Sequence, residues 1–214
     1  MIKLKNKYIT LSTLDRLYHC PNPIIGLTGG IATGKSTVSK MMRDEGVWVI
    51  SADQLIHNLY AEQVVLNQVN LLCPESIKEG KINFSTLRKS FFNTPKIKRE
   101  LETLLYSNLP RVFIESLPKD EDQVIIYDVP LLFEKKLEGF FDQIITVVIT
   151  EDIQLQRLEQ RDGNDFETHK NILENQWPLF EKKAKSNFVI ENNGGLEELK
   201  TKVSHIRKEL FILQ

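Results

Sequence analysis

The chain has 214 residues, 41% of them hydrophobic and 27% charged, with a formal net charge of −1. That length suits one buried core carrying an inserted subdomain, and that balance excludes disordered and fibrous classes. Near-neutral charge removes any global attraction to nucleic acid or acidic membranes, so anion binding has to come from a local arrangement of groups.

Residues 1–23 end in Cys20-Pro21-Asn22-Pro23, a segment that resists helix and strand alike, and read as an appended arm. Its lysines at 3, 5 and 7 are followed by Asp15, Arg16 and His19, which leaves no secretory apolar region. No run approaches the roughly 20 apolar residues needed to span a bilayer. Cys20 and Cys73 have no second ligand at metal spacing and suggest no disulfide framework. A cytoplasmic protein without membrane or nucleic-acid partners is expected, acting as a monomer.

From Ile24 the signals run strand, Gly-rich turn, helix to about Glu45, then a short strand Val47-Trp48-Val49-Ile50 closing on Ser51-Ala52-Asp53, which is a βαβ unit. Residues 54–118 read as a helical insertion with breaks near Pro74 and Gly80. Continuous apolar runs return at Val124–Asp128 and Ile144–Ile149, the pattern of strands covered on both faces. A helix over Glu151–Arg161, a charged loop around Asp162–Asp165, a helix through Gln176, a strand at Asn187–Ile190 and a closing helix Leu196–Leu210 complete the chain. Strands separated by helices predict an α/β fold with a mainly parallel sheet between two helical layers.

The turn after the first strand carries the chemistry. Gly29-Gly30-Ile31-Ala32-Thr33-Gly34-Lys35-Ser36 fits G-x-x-x-x-G-K-[ST], a spacing that wraps inward-facing N–H groups around phosphates at a helix N-terminus. Lys35 would reach the β- and γ-phosphates of ATP, and the Ser36 hydroxyl would hold Mg²⁺.

Other candidates gather where an open parallel sheet binds its ligands, beyond the carboxyl ends of the strands. Asp53 is either a carboxylate that takes the proton of an attacking hydroxyl or a helix N-cap. Asp128 is a candidate to hold a Mg²⁺-bound water, or a turn residue. Arg157 and Arg161 share a helix face, where they would clamp phosphate or, with Glu159 and Asp162, form a solvated face. Trp177 is either a packing residue or a platform for a base.

Taken together, Gly26–Val38, Ser51-Ala52-Asp53, Val129-Pro130-Leu131-Leu132-Phe133-Glu134, Gln160-Arg161-Asp162-Gly163, Gln176 and Val189-Ile190-Glu191-Asn192-Asn193-Gly194 resemble the dephospho-CoA kinases. The resemblance spans about residues 24–202. It implies a three-layer P-loop kinase core with a five-stranded parallel sheet, a helical acceptor-binding insertion at about 56–118 and a lid at about 157–182. The implied reaction moves the ATP γ-phosphoryl to the ribose 3′-hydroxyl of dephospho-CoA, the last step of CoA synthesis. By the same resemblance Ala32, Thr33, Gly34, Lys35, Ser36 and Thr37 bind the nucleotide and Asp53 is the base. Arg161 is then the lid arginine, and Asn192 lies in the segment that approaches adenine.

Ser51, Leu72-Cys73, Phe84 and Tyr106-Ser107 depart from the family pattern, the last three within the insertion. Two other readings therefore stand beside the first: another P-loop metabolite kinase, and a catalytically impaired nucleotide-binding protein.

Overall fold

A computed structural model describes residues 1–162 and 176–212 of the protein, apart from the side chains of Arg161 and Asp162. The chain forms two compact units, Met1–Ser51 with Leu117–Gln214, and Ala52–Ser116. In chain order the first unit begins with β1 (Lys3–Leu4), β2 (Ile24–Gly29), α1 (Lys35–Asp44) and β3 (Trp48–Ser51). The second holds α2 (Ala52–Leu59), α3 (Gln63–Leu72), β4 (Ile77–Lys78), β5 (Lys81–Ile82), α4 (Phe84–Asn93) and α5 (Pro95–Glu115). The first unit resumes with β6 (Ile125–Asp128), β7 (Gln143–Val148), α6 (Glu151–Asp162), α7 (Leu179–Ala184), β8 (Phe188–Glu191), α8 (Leu196–Leu210) and β9 (Phe211–Ile212).

Five strands form the central sheet in the order β3-β6-β2-β7-β8, every neighbouring pair parallel. β2, β6 and β7 are buried along their whole length, as their unbroken apolar runs require. On one face Ile25, Leu27, Ile126, Ile145, Val147 and Ile190 pack against Val38 and Met42 of α1 and Leu199, Val203, Ile206 and Leu210 of α8. The register sets Leu27 of β2 and Ser51 of β3 on either side of Asp128, so that these strands end together.

Residues 1–23 are more than an appended arm. β1 pairs antiparallel with β9, and Leu4 joins the core. Buried Asp142 then gathers the arm. Its carboxylate accepts from Thr10 N, Leu11 N, Arg16 Nε and Ile24 N, each at 2.9 Å. The arm has few regular elements: local turns satisfy the N–H groups of Tyr8, Ile9, Asp15, Arg16, His19 and Cys20, and Asp142 those of Thr10 and Leu11.

In the second unit the breaks expected near Pro74 and Gly80 separate α3 from α4, and the one at Gly80 is a β-hairpin. β4 and β5 pair across Glu79-Gly80, with φ of 50° and 73°, the left-handed pair that a two-residue hairpin turn needs. The helix expected through Gln176 lies outside the described residues. Among the described residues no helix is long and apolar enough to cross a membrane.

Candidate active site

β2 delivers Gly29 to the carboxyl edge of the sheet, and α1 begins at Lys35. The intervening turn brings Ala32 (φ 60°) and Gly34 (φ 85°) into the left-handed region, which coils the loop in front of the first turn of α1. There the N–H groups have no intrahelical acceptor, and the helix dipole adds about half a positive charge. A Cβ at Gly34 would run into Asn192 Nδ2, so glycine is required there for space as well as torsion.

The loop keeps this shape through side chains brought from far along the sequence. Gln154 Nε2 donates to Ile31 O at 2.8 Å, Ile31 N donates to Gln176 Oε1 at 3.0 Å, and Asn192 Nδ2 donates to Thr33 O at 2.8 Å. Within the loop, Thr33 Oγ1 donates to Gly30 O at 2.9 Å. Arg157 Nη2 caps the arrangement by donating to Asn192 O at 3.0 Å. Arg157 is thus half-buried against the loop rather than part of a solvated face. Asn192, in the segment expected to approach adenine, also braces the loop with its buried amide.

Asp128 sits at the end of β6, nearly buried. Lys35 forms an ion pair with its Oδ1, and Ser39 Oγ donates to its Oδ2 at 2.6 Å. The lysine expected on phosphates and the carboxylate expected near Mg²⁺ are therefore partners. Ser36 is exposed in the first turn of α1 and Thr37 half-buried beside it. Among the described residues no three His, Cys, Asp or Glu side chains cluster as a self-sufficient metal cage. The exposed Ser36 hydroxyl at the start of α1 and the Asp128 carboxylate at the end of β6 are oxygen donors of the kind Mg²⁺ takes.

A third layer was not anticipated. Lys182 of α7 is fully buried, 2.8 Å from Glu134 Oε1, and donates to Gly29 O at 3.3 Å and Pro130 O at 3.2 Å. Burial holds its pKa below the ordinary 10.5; Glu134 opposes that shift and nearby Lys35 adds to it. Nothing in the run Glu181-Lys182-Lys183 marks the middle residue, because its exposed neighbours read as surface charge. The Trp177 ring stacks on Phe133 at 6.0 Å, as a packing residue does, and the main-chain N–H of Trp177 donates to Glu134 Oε1 at 2.8 Å.

Two further candidates lie on α2 and α6. Asp53 is exposed in α2, which begins at Ala52, so the residue lies inside the first turn rather than at the cap. Arg161 is in the last turn of α6, and its side chain lies outside the described residues.

A dephospho-CoA kinase family profile matches residues 23–198. A dephospho-CoA kinase of Fusobacterium nucleatum is 36% identical over 182 residues, covering 84% of this chain and 94% of the relative. That of Geobacillus kaustophilus is 35% identical over 196 residues, covering 89% and 98%. Among solved structures, a Thermus thermophilus protein superposes with a TM-score of 0.77 at 29% identity over 88% of this chain and 97% of its own. A braced phosphate loop at the edge of a parallel sheet is common to many nucleotide-binding proteins, and the match along most of the chain resolves which: this protein belongs to the dephospho-CoA kinase family.

Proposed function

We infer that the protein transfers the γ-phosphoryl group of ATP to the ribose 3′-hydroxyl of dephospho-CoA, giving CoA and ADP in the last step of coenzyme A biosynthesis. The observation that carries this reading is the loop Gly29–Ser36, held open in a phosphate-binding shape by Gln154, Gln176 and Asn192 in a chain of this family. Preorganised donors of this kind need no rearrangement when charge develops on the transferring group.

The 3′-oxygen attacks Pγ, the new O–P bond forms as the bond from Pγ to the β-phosphate bridging oxygen breaks, and that oxygen leaves with the electron pair as part of ADP. We assign acceptance of the hydroxyl proton to Asp53, whose carboxylate is exposed in the first turn of α2. Lys35 leaves Asp128 for the phosphates, an exchange of one anionic partner for another of higher charge. Ala32 to Thr37 line the nucleotide phosphates, and Arg157 and Arg161 supply guanidinium groups to them. Asn192 braces the loop that adenine nucleotide occupies. Mg²⁺, when bound, neutralises charge on the β- and γ-phosphate oxygens; Ser36 would hold it directly and Asp128 through water. Acceptor binding falls to the helical insertion at about 56–118 and closure to the lid at about 157–182, of which residues 163–175 lie outside the described residues. The enzyme works as a cytoplasmic monomer.

Two of the family departures, Cys73 and Phe84, have defined places in the second unit. Cys73, where glycine is usual, has φ −149° and needs no left-handed freedom, and its side chain is fully buried. Phe84 joins an aromatic group with His57 and Tyr60 at ring separations of 5.5 and 5.4 Å.

The test supplies purified protein and Mg²⁺-ATP with dephospho-CoA, AMP or shikimate in turn and measures ADP and phosphorylated product. Turnover with dephospho-CoA alone is expected. Equal ADP release whether or not an acceptor is present would overturn the assignment.

A further inference from the structure

Lys182 makes a set of contacts that a stabilising ion pair does not need. An ammonium has three donors, and here each has its own acceptor: Glu134 Oε1, Gly29 O and Pro130 O. Two of the three are main-chain carbonyls at the ends of neighbouring strands. Gly29 closes β2 and opens the phosphate loop; Pro130 follows β6, two residues after Asp128, and its carbonyl also accepts from Thr28 Oγ1 at 3.1 Å. One cation thus joins the start of the loop to the strand end that carries the partner of Lys35.

α7 also touches the loop through Leu179, whose Cδ2 would lie 2.9 Å from a Cβ at Gly30. Its first residues follow Trp177, tied to Glu134 by its main-chain N–H and to Phe133 by stacking. Burying an ammonium so completely is costly, and a hydrophobic side chain of similar length would fill the space without that cost. The charge therefore has a use at the carbonyls it holds.

We propose that Lys182 is a positioning residue for ATP binding, its ammonium fixing the Gly29 carbonyl and so the path on which the phosphate loop leaves β2. The assignment rests on the kinase reading for its place in the reaction, although not for its effect on nucleotide affinity. Glu134 keeps Lys182 protonated and aimed, and acts through it.

The deciding variant is Lys182→Met with Glu134→Gln, which removes the ammonium without stranding a buried carboxylate. Titration calorimetry with Mg²⁺-ATP alone, steady-state kinetics and thermal unfolding are compared with wild type. Affinity for ATP is expected to fall about 10- to 100-fold, the worth of hydrogen bonds made by a charged group, with an equal rise in KM for ATP. KM for dephospho-CoA and the unfolding midpoint should change little. Glu134→Gln alone retains both carbonyl contacts and should lose less than the pair. ATP affinity equal to wild type in the double variant overturns the proposal, and so does a double variant that no longer folds, which would leave Lys182 a role in stability only. Wild-type protein that binds ATP but does not phosphorylate dephospho-CoA would defeat the kinase reading while leaving this measurement intact.

Discussion

Asp53 and Asp128 show how much a carboxylate's role depends on its partners. Both follow short apolar strands, and in sequence they look alike. Asp128 is nearly buried and occupied by Lys35 and Ser39, whereas Asp53 is exposed in the first turn of α2. Asp128 already serves Lys35 and Ser39 and is the proposed outer holder of Mg²⁺, so the proposed base is Asp53. Asp53→Asn should lower kcat by roughly 10²–10⁴-fold, the usual worth of general acid–base assistance, with ATP affinity close to wild type. Near-normal turnover in steady-state assays would reduce Asp53 to a residue favoured only by the helix dipole. The candidates Gly34, Lys35 and Ser36 come directly from their spacing, and the left-handed backbone at Gly34 is the local shape that this spacing requires. Lys182 and Asn192 were not readable in the same way, since what distinguishes them is the carbonyl each one finds far along the chain.

At the scale of elements, α6, α7 and β8 supply the braces of the loop that β2 and α1 form. Gln154 comes from α6, Lys182 from α7 and Asn192 from the residue after β8. α7 is short, and its tie to the loop carries a charge, which makes it sensitive to alkaline pH. Burial lowers the Lys182 pKa below 10.5, while Glu134 and Lys35 are the charged groups that face it. Between the folded pKa and 10.5 the unfolded chain binds more protons, so stability should rise with pH through that window; below the folded pKa the full cost of burying the charge is present. ATP binding should move the opposite way, weakening as the ammonium is lost. Measured as differences from Lys182→Met with Glu134→Gln, wild type should therefore gain in unfolding midpoint and lose in ATP affinity as pH approaches 10.5. Parallel movement of the two quantities would contradict the assignment.

The whole molecule depends on contacts that span most of the chain. Asp142 joins the arm to the sheet by holding Arg16, two backbone N–H groups of residues 10 and 11, and the N–H that opens β2. Asp142→Ala strands a buried guanidinium and three donors, and should destabilise the fold by about 3–5 kcal/mol in denaturant unfolding. A loss below about 1 kcal/mol would mean that the arm is held by β1 and Leu4 alone. By itself the sequence determined the alternation of strands and helices, the long insertion, the phosphate loop and its lysine. Those are consequences of residue spacing, which fixes torsions and apolar periodicity within a few turns of chain. Only the tertiary structure decided that the N-terminal segment completes the core, that Lys35 rests on Asp128, and that Gln154, Lys182 and Asn192 hold the loop. Their partners are brought to hydrogen-bonding distance by sheet register and helix packing, neither of which leaves a mark on the residues beside them in sequence.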